Sequence, residues 1–236
     1  MLFLYHIIIL TITIFSPIII FYRILKNKED KKRYIEKFSI ISKKRVKGKL
    51  IWFHGASVGE ILSIVPLIKN YEKNNSISQI LVTSSTLSSS KVLKKFKFKK
   101  TVHQFYPIDN LFLTNKFLKF WKPCMAVFVD SEIWPCMYNN INNQKIPLIL
   151  LNARITKKTF KRWMTLRYFA RSIFNKITIA YPQNLETAQY LKILKANNIS
   201  NLGNLKFAEN FEENLERINV YLKKALKKKK IWAASR

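Results

Sequence analysis

The sequence predicts an α/β fold, a parallel sheet with helices on both faces, preceded by an apolar membrane-anchoring helix. Three observations carry this. Six short apolar runs of strand length alternate with stretches of helical spacing, the pattern of a sheet whose crossovers are helices. Residues 2–22 form one apolar stretch without a formal charge. The chain has 236 residues, 48% of them hydrophobic, enough to bury a sizeable core.

The elements follow in order. A helix needs about 20 apolar residues to cross a hydrocarbon core, and Pro17 is tolerated inside one. No Lys or Arg precedes the run and no A-x-A site follows it, so residues 1–23 read as an uncleaved anchor rather than a secretory signal. Spanning and lying in the interface both stay open. Arg23, Lys26, Lys28, Lys31, Lys32 and Arg33 come next. The positive-inside rule places this flank, and the rest of the chain, on the cytoplasmic side. Each Lys or Arg near the surface adds about 1 kcal/mol of attraction to anionic headgroups. Residues 24–49 read as a basic juxtamembrane linker. Strands are predicted at 50–54, 79–84, 102–106, 125–130, 147–152 and 177–181. Ile61, Ile64, Val65 and Ile68 share one helical face. Phe112, Phe117, Phe120 and Trp121 mark a second helix, stopped by Pro123. Phe160, Trp163, Leu166, Phe169 and Ile173 mark a third. The Lys-rich stretches 91–100 and 223–230 read as solvated helix faces.

Composition excludes several classes. With 4 glycines there is no G-x-G-x-x-G or Walker loop, hence no dinucleotide enzyme or P-loop ATPase. Cys124 and Cys136 make no C-x-x-C, and His6, His54 and His103 are too dispersed for a local metal motif. No metal and no cofactor are expected. The net charge of +30 has two readings: a Lys-, Ile- and Asn-rich composition, and a selected anionic partner. No nucleic-acid motif accompanies the charge, so nucleic acid is not an expected partner.

In parallel sheets, ligands bind beyond the carboxyl ends of the strands. Four strand ends or turns stand out. Ile51-Trp52-Phe53-His54-Gly55-Ala56-Ser57-Val58-Gly59-Glu60 runs a strand into a small-residue loop, with Glu60 in the first turn of the next helix. Glu60 reads equally as a reactive carboxylate and as an ordinary helix-terminal Glu favoured by the dipole. Val127-Phe128-Val129-Asp130-Ser131-Glu132-Ile133-Trp134-Pro135 presents two carboxylates and an indole, suited to acid/base work. The plainer reading is that Ser131 or Asp130 caps the following helix. Leu151-Asn152-Ala153-Arg154 ends a strand in a cation. Gly203-Asn204-Leu205-Lys206-Phe207 is a short turn holding one Lys.

In this order, H-x-A-S-V-G-E, x-S-E-[LI]-W-P, P-L-x-L-x-N-A-R and G-N-L-K-F are similar to the 3-deoxy-D-manno-octulosonic acid (Kdo) transferases, over essentially the whole chain. The resemblance implies a Rossmann-like N-terminal lobe of the two-lobed B-type glycosyltransferase architecture. It implies transfer of Kdo from CMP-Kdo to a lipid A precursor at the bacterial inner membrane, in lipopolysaccharide synthesis, without a bound metal. Glu60 then matches the general base, while Asp130 and Lys206 match transition-state stabilisers. Ser57, Gly59, Glu132 and Arg154 are the candidate substrate-binding residues. Where the family usually has Glu, this chain has Asp130, one methylene shorter, which shifts weight to Glu132. By the same resemblance the first lobe is 50–210, while 211–236 hold an interlobe helix and the opening of a second lobe. The chain alone is therefore expected to need a separately supplied C-terminal lobe for activity. The alternative is a non-catalytic, membrane-bound module that binds lipid A precursor.

Overall fold

The computed structural model describes residues 2–200, so Lys206, the turn that carries it and the 211–236 segment lie outside the described residues. The predicted fold class is what it shows. Strands β1 (Leu50–His54), β2 (Gln79–Ser84), β3 (Thr101–Phe105), β4 (Met125–Val129), β5 (Leu148–Ala153) and β6 (Ile179–Pro182) form one sheet in the order β3-β2-β1-β4-β5-β6. Every pairing is parallel. The crossovers hold α2 (Val58–Lys73), α3 (Leu87–Lys94), α4 (Leu111–Trp121), α5 (Pro135–Asn143), the consecutive α6 (Lys157–Thr165) and α7 (Arg167–Phe174), and, after β6, α8 (Leu185–Ile193).

Strands β1 and β2 are buried at every position, which is why they read as continuous apolar runs rather than alternating ones. Successive side chains still point to opposite faces. Ile51 and Phe53 pack with Ile61, Ile64 and Ile68 of α2. Leu50 and Trp52 pack with Phe117, Trp121, Phe128 and Tyr138 on the other face. After β3 the chain crosses to the far side of β1, so the strand order reverses between β1 and β4. That reversal opens a crevice at the carboxyl edge, where open α/β sheets bind ligands.

Three local expectations change. The third predicted helix is two, because Leu166 leaves the helical region (φ −116°, ψ 49°). The cause is in the spacing: consecutive i+3 steps drift about 60° each around a 3.6-residue helix. A straight helix would carry Phe169 to the side opposite Phe160, and the break returns both to the core. In α4, Phe112 and Phe120 point outward, while Leu113, Phe117, Leu118 and Trp121 are buried. Of the Lys-rich stretch 91–100, only the part up to Lys94 is helical.

Segment 24–49, read as a linker, folds back onto the domain. Glu36 is fully buried and accepts from the Arg33 guanidinium at 2.7 and 2.9 Å, from Phe105 N at 2.7 Å and from the Ser42 hydroxyl. Glu29, also buried, accepts from Arg23 at 2.7 Å and Lys37 at 2.6 Å. A buried carboxylate requires such partners, and the basic run supplies them.

The apolar helix α1 (Leu2–Leu25) is long and apolar enough to cross a membrane. It nonetheless touches the domain, although only a small share of it is buried. Tyr5, Ile9, Thr13, Ser16 and Ile20, at helical spacing, make its inward stripe, and Ser16 and Ile20 are buried. Near one end the Tyr5 hydroxyl donates to Asp109 Oδ2 at 2.8 Å, and near the other Arg23 holds Glu29. The outward arc, including Ile7, Leu10, Ile14, Ile18 and Phe21, is exposed and apolar.

Candidate active site

The first wall of the crevice is the β1–α2 loop. Ser57 is the N-cap of α2, its Oγ accepting from Glu60 N at 3.3 Å. Glu60 answers, Oε1 accepting from Ser57 Oγ at 2.7 Å and Oε2 from Ala56 N at 2.8 Å. This is a capping box in which the Glu reaches one residue further back than usual. Ser57→Ala is expected to lower stability by about 1 kcal/mol, read as a shifted urea midpoint with unchanged slope. A Cβ on Gly55 would lie 3.0 Å from Glu60 Cβ, so glycine is what lets the loop close on that side chain. A Cβ on Gly59 would meet nothing within 4 Å, so the space beside the helix start is open.

Glu60 therefore fills the structural role, but its surroundings favour the proton. Burial raises its pKa above the usual carboxylate range, and the hydrogen bonds from Ser57 and Ala56 oppose that. The negative charges of Glu132 and Asp130 raise it further. Three carboxylates from two loops thus share one electrostatic neighbourhood.

The second wall is the β4–α5 loop. Asp130 follows β4 with φ +62° and is nearly buried, and Asn152, in β5 alongside, has φ +52°. Asp and Asn tolerate this left-handed region better than other non-glycine residues. Asp130 N donates to Leu151 O at 3.0 Å, and Asp130 O accepts from Arg154 N at 3.2 Å. Arg154 is thereby tied to the acidic loop through its backbone while its side chain is exposed.

Glu132 closes the crevice across the switch point. His54 Nε2 lies 3.3 Å from its Oε2, and Trp134 Nε1 donates to the same oxygen at 2.9 Å. The fully buried His54 stacks on Tyr106 at 4.0 Å between ring centroids. Its Nδ1 is 2.9 Å from Thr83 Oγ1, which accepts from Trp52 Nε1 at 2.9 Å. For Nε2–H to donate to Glu132, Nδ1 must accept the Thr83 hydroxyl proton. A chain of hydrogen bonds thus runs from the core indole to the acidic loop.

The structure brings Ser57, Gly59, Glu60, Asp130 and Glu132 to one edge, with Arg154 joined to Asp130. Lys206 lies outside the described residues. Neither Ser131 nor Asp130 caps α5. Its N-cap is Trp134, and Asp109 takes the first amides instead, Cys136 N at 3.0 Å and Met137 N at 2.8 Å. Burial pushes Asp109 up to about 6, against the hydrogen bonds from Tyr5, Cys136 and Met137. No local spacing reveals a cap more than twenty residues away. His54 and Trp134 stand inside the quoted motifs, so the signal was present without their partners.

Residues 32–209 match the family model described as 3-deoxy-D-manno-octulosonic-acid transferase (kdotransferase). The 3-deoxy-D-manno-octulosonic acid transferase of Rickettsia bellii is 38% identical over 215 residues, covering 91% of this chain and 51% of the relative. That of Rickettsia felis is 44% identical over 162 residues, covering 67% and 34%. The chain thus spans about half the length, or less, of these curated relatives. A UDP-GlcNAc 2-epimerase from Neisseria meningitidis superposes with a TM-score of 0.51 over 75% of this chain and 52% of its own, at 14% identity, a likeness of fold alone. The match from the packed juxtamembrane segment through β6 and α8 takes in both walls of the crevice, and on it the chain belongs to the 3-deoxy-D-manno-octulosonic acid transferase family.

Proposed function

We propose that this chain forms the acceptor-side lobe of a Kdo transferase that moves Kdo from CMP-Kdo to a lipid A precursor at the cytoplasmic face of the bacterial inner membrane. The observation that carries it is the placement of Glu60. It is a carboxylate with a raised pKa, beside open space at Gly59, at the edge where the strand order reverses. In the proposed reaction the acceptor hydroxyl attacks the anomeric carbon, the bond from that carbon to the CMP oxygen breaks, and CMP leaves with the electron pair. Glu60 takes the hydroxyl proton. A sugar hydroxyl is a weak nucleophile until its proton has a destination, and a base of raised pKa provides one.

Asp130 and Lys206 are assigned to stabilising the transition state, and Glu132 and Arg154 to holding the polar parts of the substrates. Ser57 keeps Glu60 aimed, and Gly59 leaves room for the sugar. A second lobe that carries the donor is part of this proposal. Positioning of donor against acceptor supplies much of the rate, so the assay pairs this chain with the C-terminal half of a curated relative. Transfer of labelled Kdo that depends on both halves supports the reading. Equal transfer by the C-terminal half alone sinks it.

Membrane attachment belongs to the same proposal. With α1 held against the domain through Tyr5 and Arg23, its outward apolar arc enters the lipid interface, and the exposed Lys26, Lys28, Lys31 and Lys32 of its flank face anionic headgroups. The chain is expected to co-sediment with vesicles containing anionic phospholipid, less so with neutral ones and less at high salt. Replacing outward Ile14 and Ile18 by Glu should release it. Unchanged binding by that double variant contradicts attachment through α1.

A further inference from the structure

The inward stripe of α1 is more polar than a bilayer span requires, and its most specific contact is made by Tyr5. The Tyr5 ring packs 5.7 Å from Phe169, and its hydroxyl donates to Asp109 Oδ2 at 2.8 Å. Asp109, 3% exposed, spends its remaining capacity on the first amides of α5, Cys136 N and Met137 N. The residues just before those amides are Glu132, Ile133, Trp134 and Pro135. One turn into α5, the Tyr138 hydroxyl donates to Glu132 O at 2.9 Å, and Trp134 holds the Glu132 carboxylate. Tyr106 stacks on His54 at 4.0 Å and lies tilted against Trp134 at 5.1 Å. Burial raises both the Tyr106 and Tyr138 phenols, and the charges of Asp109 and Glu132 raise them further.

We propose that Asp109 is a positioning residue for the Glu132–Trp134 loop, and that Tyr5 of the apolar helix holds Asp109 in place. Seating of α1 on the domain then sets the geometry of the acidic loop. A buried carboxylate with three donors fixes the start of α5 in direction as well as position. Removing one donor leaves it under-satisfied in a site that water does not reach. The end of the helix that enters the lipid is thereby joined to the wall that would meet a lipid-borne acceptor. The importance given to this loop rests on the function proposed above, but the contact itself is testable without any transfer assay.

The test uses the full chain carrying 5-fluorotryptophan, with the Trp134 resonance assigned by Trp134→Phe. Tyr5→Phe keeps the ring on Phe169 and deletes one hydrogen bond. It is expected to shift the Trp134 signal and to speed amide exchange across residues 130–138 by roughly three- to tenfold, the factor one lost buried hydrogen bond carries. Asp109→Asn should do more. Arg23→Ala loosens the other end of α1 and should leave both readouts in place. An unmoved Trp134 signal and unchanged exchange in Tyr5→Phe overturn the proposal, as does an equal response to Arg23→Ala. If Asp109→Asn does not fold, Tyr5→Phe alone decides. In the paired-lobe assay the same variant should lower kcat more than it raises KM. A wild-type chain that fails to transfer Kdo refutes the proposed function and leaves the Tyr5–Asp109 test standing.

Discussion

Replacing Trp52 by Ala is expected to lower stability by about 3–5 kcal/mol, seen as a large fall in the urea midpoint. Trp52 is fully buried in β1, the central strand on which both halves of the sheet pair. Its ring lies 5.0 Å from Phe117, 5.1 Å from Phe128 and 6.3 Å from Tyr106. Truncation empties the middle of that aromatic cluster, and a close-packed interior relaxes only partly around such a void. It also strips Thr83 of the Trp52 Nε1 donor, at the head of the chain that reaches Glu132 through His54. The loss should therefore reach function too. Trp52→Phe restores most of the volume and not the donor, so the difference between the two variants reports the lost packing, and what Trp52→Phe still loses against wild type reports the hydrogen bond. A destabilisation below about 1 kcal/mol for Trp52→Ala is the size of a surface change and would contradict this account of the core.

The largest effect on activity is expected from Glu60→Gln, a fall in kcat of about 10²–10⁴, the range of general acid–base contributions. The substitution separates the two roles of Glu60. Gln serves at the third helical position of a capping box almost as well as Glu, so the fold and the α2 start should survive. What Gln cannot do is accept a proton. Circular dichroism and the urea midpoint should stay near wild type while transfer collapses. A variant that unfolds but, when folded, transfers normally would make Glu60 a cap and nothing more.

Much of this arrangement was legible in the sequence because β1, β2 and α2 obey simple periodicities. Continuous apolar runs mark doubly covered strands, and Ile61, Ile64 and Ile68 mark a single helix face. The acidic residues were recognisable because strand ends are where parallel sheets carry chemistry. The rest depended on contacts that spacing does not encode. Asp109 caps a helix more than twenty residues downstream, and Glu36 binds Phe105 N across the domain. The 24–49 segment looked like a linker because its positive charges outnumber its few carboxylates. Two of the three, Glu29 and Glu36, are the ones that become buried and pull the segment in. Leu166 broke a predicted helix because an i+3 stripe drifts, a cumulative effect that no single pair shows. The long apolar helix was evident from its composition. Its contact with the domain through Tyr5 was not, because Tyr5, Thr13 and Ser16 look like minor interruptions until they are seen to share one face.

The most direct test of Glu60 as the base is the pH dependence of Kdo transfer in the paired-lobe assay, wild type against Glu60→Gln. A base works only when deprotonated, so the rate falls as pH drops through its pKa. Burial and the neighbouring Glu132 and Asp130 raise that pKa. The wild-type acid limb should therefore lie above the ordinary carboxylate range, and the residual activity of Glu60→Gln should lack it. An acid limb that persists unchanged in the variant would assign the proton transfer to another group and contradict the account.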